Sequence, residues 1–165
     1  MAKREKINVK EGDLSFGQRI NIGKILTNEA IEEMDKLKQV WKCLYGVDLK
    51  LTSTNTKKML LEFEEVIDGI IFWIKKETEL LKYNPTPEEQ RAGINDLSSK
   101  IGEFGTVKAI AKAYSRDPDE VLKWKYGKVF GILYTDLEEH RFQVKLQKQY
   151  SNSAKNGSFA KYNKR

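Results

Sequence analysis

The sequence predicts an all-α protein: four to five helices, the last one long, with an irregular apolar N-terminal segment and basic arms at both ends. Three observations predict it. Apolar residues recur at spacings of three, four and seven along most of the chain, as they do on one buried helix face. A helix-start pattern occurs twice, as Thr86-Pro87-Glu88-Glu89 and Asp117-Pro118-Asp119-Glu120: a capping side chain, a proline at the first helical position, then carboxylates. The three prolines all fall at or near the ends of such stretches, where a missing N–H does little harm.

Taken in order, residues 1–13 read as an arm. Ile7 and Val9 alternate with polar residues as a short strand would, and Glu11-Gly12-Asp13 ends the pattern. Leu14, Phe16, Ile20, Ile22, Ile25 and Leu26 follow as an apolar lead-in with turns, punctuated by Gly17 and Gly23. A first helix is expected over 28–45, capped by Thr27, with Ile31, Met34, Leu37, Trp41 and Leu44 in period and Gly46 as its stop. Residues 47–55 read as an extended loop. The second helix, over 56–83, is apolar on most sides around Ile70-Ile71-Phe72-Trp73-Ile74, so its middle should be covered. Asn84-Pro85 breaks it. A third helix starts at Pro87 and carries Ala92, Ile94, Leu97 and Ile101, with 102–105 as a turn.

The chain is organised around residues 105–150. Val107, Ile110, Ala111 and Tyr114 mark a short helix. After Asp117-Pro118 come Val121, Leu122, Val129, Phe130, Leu133, Leu137 and Val144, an apolar stripe on a helix of roughly 30 residues. The short helix should fold back on that stripe. Residues 151–165 shift to serine, asparagine and lysine and lack the apolar surface to order themselves. The division is therefore an N-terminal basic arm (1–13), a helical domain (14–150) and a basic, flexible C-terminal tail (151–165).

Composition bounds the function. A length of 165 residues suits one domain with a real core. No apolar run approaches the roughly 18 residues that span a bilayer, so no membrane partner is expected. The opening residues lack the apolar stretch of a signal peptide. One cysteine, Cys43, excludes an internal disulfide and a thiolate cluster, and a reducing interior is the natural setting. The formal charge of +6 is concentrated at the two ends.

No catalytic signature is present, and neither a cofactor nor a metal site is expected. His140 stands alone between Glu139 and Arg141, whereas a metal site needs several ligands. Glu62, Glu64, Glu65 and Asp68 make a carboxylate-rich face, which reads most simply as a solvated helix surface. A pocket lined by Glu62, Glu65 and His140 would favour an enzyme instead. Cys43 reads as a packed thiol. Residues 105–130 have the outline of a helix-turn-helix. Against DNA binding, the second helix opens with Asp117, Asp119 and Glu120, which would meet phosphate. Trp41, Trp73 and Trp124 read as core, but Lys123-Trp124-Lys125-Tyr126 can also present Trp124 and Tyr126 to a partner. In the tail, Lys155, Phe159, Lys161, Tyr162, Lys164 and Arg165 interleave aromatics with cations. Such an arm reads first as a solubilising, disordered end; it can also order on an acidic protein neighbour or, less favoured, on nucleic acid.

Three runs carry a resemblance: Phe72-Trp73-Ile74-Lys75-Lys76-Glu77, Pro87-Glu88-Glu89-Gln90-Arg91-Ala92-Gly93-Ile94, and Asp117 through Tyr126. Over roughly residues 16–150 the chain resembles small all-helical structural proteins of the crAss-like tailed phages. The Asp-Pro-Asp-Glu-Val run is also similar to phage tail assembly chaperones. The resemblance implies a non-enzymatic particle component, a head–tail connector or tail ring subunit in the virion and in the host cytoplasm during assembly. It would contact copies of itself and neighbouring virion proteins. An assembly chaperone and a nucleic-acid-binding helix-turn-helix module are the alternatives.

Overall fold

The computed structural model describes residues 7–49 and 56–162, and side chains as far as residue 152. Among these residues the architecture is all-α. The helices are α1 (Phe16–Thr27), α2 (Glu33–Tyr45), α3 (Thr56–Leu80), α4 (Pro87–Arg91), α5 (Ile94–Ala113), α6 (Pro118–Leu122) and α7 (Tyr126–Tyr162), with one 3-10 turn at Val9–Glu11 before them. They fall into two compact units, Met1–Phe130 and Gly131–Arg165. Every fully buried apolar side chain among the described residues lies between Val9 and Phe130.

The apolar lead-in is a helix rather than a string of turns. Ser15 caps α1 by accepting from the Gln18 N–H, while the Gln18 side chain accepts from the Ser15 N–H at 2.8 Å, a reciprocal capping box. The Gln18 amide then donates to the carbonyls of Cys43 and Leu44, at 3.1 and 3.2 Å, at the end of α2. One side chain thus starts α1 and stops α2, and the two helices pack together.

The segment read as a free arm is partly core. Val9 is buried, and no strand forms at Ile7 and Val9; Val9–Glu11 is a 3-10 turn lying on α3. The Trp73 indole N–H donates to the Val9 carbonyl at 2.6 Å. The approach is close because α3 has glycine at the contact: a Cβ on Gly69 would stand 2.6 Å from the Val9 side chain. Burying Val9 and satisfying the indole outweighs the freedom of a polar segment.

The long helix starts at Tyr126, later than the Asp117 start that the stripe suggests. Pro118–Leu122 is a single turn of its own, capped by Asp117, which accepts from the Asp119 N–H at 2.8 Å. The backbone then leaves the helix to pair with the N-terminal segment. The Phe16 N–H donates to the Trp124 carbonyl and the Tyr126 N–H to the Leu14 carbonyl, both at 2.8 Å, with Ser15 and Lys125 bridged antiparallel. Residues 123–125 satisfy their neighbours' backbone groups across the fold, which periodicity cannot reveal. At its other end α7 runs to Tyr162 rather than stopping near 150. No proline interrupts that stretch, and Ala154, Lys155, Ala160 and Lys161 are strong helix formers.

The third expected helix is two, α4 and α5. Thr86 and Glu89 form a second capping box at α4, as the spacing predicts. α5 is kinked at Gly102, which adopts φ 47° and ψ −143°, a conformation open to glycine alone, where the sequence places a turn. α5 packs on α4 and α6, and α6 also on α1.

Candidate functional site

The most organised polar cluster joins α1, α3 and the first turn of α7. Arg19 grips Glu77 with both arms, Nε to Oε1 at 3.0 Å and Nη2 to Oε2 at 2.7 Å. The Tyr126 hydroxyl donates to the same Oε1 at 2.6 Å, and the guanidinium lies 5.7 Å from the Tyr126 ring centre. Burial, and then the hydrogen bond to Glu77, push the Tyr126 phenol well above its ordinary range. A phenol held so firmly protonated is a poor base. The cluster ties three elements together.

Tyr126 was expected at a partner surface, yet it is only 3% exposed. It stacks on Phe16 and meets Trp73 edge-on, so it belongs to the core. Trp124 is half-buried; its edge meets Tyr114, and the Lys128 ammonium stands 3.7 Å over its ring. The backbone at Lys155, Phe159, Lys161 and Tyr162 is helical, but their side chains lie outside the described part, as do Lys164 and Arg165 altogether.

A groove of about 470 Å³ lies between the N-terminal turn and α3, lined by Ile7, Asn8, Val9, Lys10, Tyr45, Glu62, Glu65, Val66 and Asp68. The Tyr45 hydroxyl donates to Glu62 at 2.7 Å. Glu62 and Glu65 therefore do share a groove, with a lysine and a tyrosine for company and no histidine. His140 lies on α7 in the other unit, beside Asp136, Glu138, Glu139, Phe142 and Gln143. Among the described residues no group of three potential ligands is placed to hold a metal. Burial raises the Cys43 thiol above its ordinary range, which makes it less reactive.

The candidate nucleic-acid element is reshaped as well. α6 is one turn long, and Asp117, Asp119 and Glu120 crowd its start. A groove-reading helix needs several turns and no such charge facing phosphate.

What the surface does offer is uncovered apolar area. On α3 the buried face is Val66, Gly69, Ile70 and Trp73. About a third of a turn round from it, Leu60, Ile67, Ile71 and Ile74 recur at helical spacing, and Leu60, Ile71 and Ile74 are each more than two-fifths exposed. Along α5, Leu97, Ile101 and Phe104 are exposed, Phe104 by 64%. The sequence expectation that the middle of α3 is covered on most sides holds, among the described residues, for one side only.

No family model matches this chain, and no solved structure matches it. It is similar to "Uncharacterized protein 050L" of Invertebrate iridescent virus 6, with 26% identity over 146 residues. The match takes in 85% of this chain and 13% of that protein, so the chain spans a small part of its relative's length.

Proposed function

We propose that this protein is a non-enzymatic structural subunit of a virus particle, acting by helix packing against copies of itself and neighbouring proteins. The observation that carries the reading is the Leu60–Ile67–Ile71–Ile74 stripe: a second apolar face on a helix whose first face already fills the core. Uncovered apolar surface of this kind marks contact sites. A tailed-phage connector or tail ring is the setting that the sequence resemblance suggests, and the similarity to an iridovirus protein is consistent with a viral origin. The chaperone alternative would use the same faces transiently.

Size-exclusion chromatography with light scattering on the full chain and on residues 1–150 tests the reading. The full chain is expected to form a defined oligomer, and the shortened chain to fold but assemble poorly, because the basic tail reaches neighbours. Equal assembly of the two would remove the tail's role. Binding to duplex DNA that weakens steeply with salt, beyond the weak attraction of any +6 protein, would favour the nucleic-acid alternative.

A further inference from the structure

Beyond Phe130, α7 carries its charges in two blocks. Residues 131–140 hold Asp136, Glu138 and Glu139 and no lysine or arginine. From 141 onward the chain holds only cations, beginning with Arg141, Lys145 and Lys148. The helix dipole does not account for this. It acts over the first and last turns, and the first turn of α7 has no acid. Pairing along the helix joins Arg141 to Glu138. The rest of the pattern works against a lone helix. Arg141, Lys145 and Lys148 stand four and three residues apart, as do Asp136 and Glu139 at three, so like charges are neighbours on the surface. Just inside the cationic block, next to Arg141, sits Phe142, 59% exposed.

We propose that this stretch of α7 pairs antiparallel with the same stretch of a second copy, crossing at Phe142. With Phe142 opposite its counterpart, Glu138, four positions before it, and Lys145, three after it, lie on Phe142's own side of the helix, so Glu138 of one copy comes level with Lys145 of the other, and the reverse holds by the two-fold symmetry. An acid then meets a cation twice, and the exposed aromatic is buried at the axis. A parallel pair would set acid on acid and cation on cation. The contact rests on the packing role proposed above and names one surface through which it operates. It closes on itself as a pair, leaving the α3 stripe for larger assemblies.

Sedimentation velocity on the full chain, over a concentration series at low and high salt, tests this with two variants, Glu138→Lys and Lys145→Glu. Both residues are exposed, and unchanged helicity by circular dichroism confirms that each variant folds. Wild-type association should weaken at least about tenfold from low to high salt. Each variant alone should associate at least about tenfold more weakly than wild type, and mixing the two should restore the pair. Wild-type association that ignores salt and survives both substitutions would overturn the α7 pairing while leaving assembly through α3 intact. Association that strengthens with salt would overturn the antiparallel register. A wild-type chain that stays monomeric at every concentration would overturn the pairing and the packing role together.

Discussion

At Gly12 the backbone turns with φ +76°, and a Cβ there would stand 2.6 Å from the backbone of Gly127 and 2.9 Å from the Trp73 ring. Both faults fall on one substitution. Gly12→Ala should lower stability by roughly 3 kcal/mol, the sum of a left-handed side chain and an overpacked contact with unyielding backbone; urea unfolding measures it. Gln18 is the other residue on which separate elements depend. Gln18→Ala removes the capping box and leaves the Cys43 and Leu44 carbonyls without their donor, so a loss of about 2 kcal/mol is expected in the same assay. Tyr126 gives a pH signature. Its folded-state pKa is raised, by burial first and by Glu77 second. Its stabilising contribution is therefore complete below the unfolded value of about 10 and is lost as pH rises above it. Tyr126→Phe should cost about 1 kcal/mol at neutral pH and flatten the alkaline fall in stability. An alkaline fall as steep in the variant as in wild type would show that Tyr126 does not control it.

At the scale of elements, the link between α5 and α6 is closed by two bonds, Arg116 N–H to the Ala111 carbonyl at 2.8 Å and Ser115 N–H to the Lys112 carbonyl at 3.3 Å. This helix ending places Ser115 at φ 50°, a position that favours glycine. Ser115→Gly should therefore raise stability by about 0.5–1 kcal/mol, visible as a higher thermal midpoint. The sequence made some elements plain. α4 starts where Thr86, Pro87 and Glu89 put it, and α2 stops at Gly46 as expected; its start does not match, because Thr27 ends α1 and α2 begins only at Glu33, with no side-chain cap. α1 was readable from Ser15 and Gln18 and was obscured by Gly17 and Gly23, which a capped and packed helix tolerates. The break at residues 123–125 was not readable. It comes from pairing with residues 14–16, more than a hundred positions earlier, and nothing local in Lys123-Trp124-Lys125 announces it.

At the scale of the molecule, Arg19, Glu77 and Tyr126 are engaged in holding the fold, while apolar residues stand exposed on α3, α5 and α7. The carboxylates of α3 were legible as a row, but not that Glu77, further along, would be the one clamped by Arg19 and Tyr126. A pair 58 positions apart leaves no spacing signal. Trp124 and Tyr126 looked alike as interface aromatics; only the fold separates the half-exposed one from the buried one. The broad apolar character of α3 was visible, and the structure divides it into a core side and an open side.

The central claim is that this open side is a contact surface, and light scattering on an Ile71→Lys, Ile74→Lys chain tests it most directly. Both residues are more than two-fifths exposed, so the substituted chain should keep its helicity and thermal midpoint. The account predicts a defined oligomer for wild type and a folded, smaller species for the variant at the same concentration. A variant that assembles as fully as wild type would contradict it.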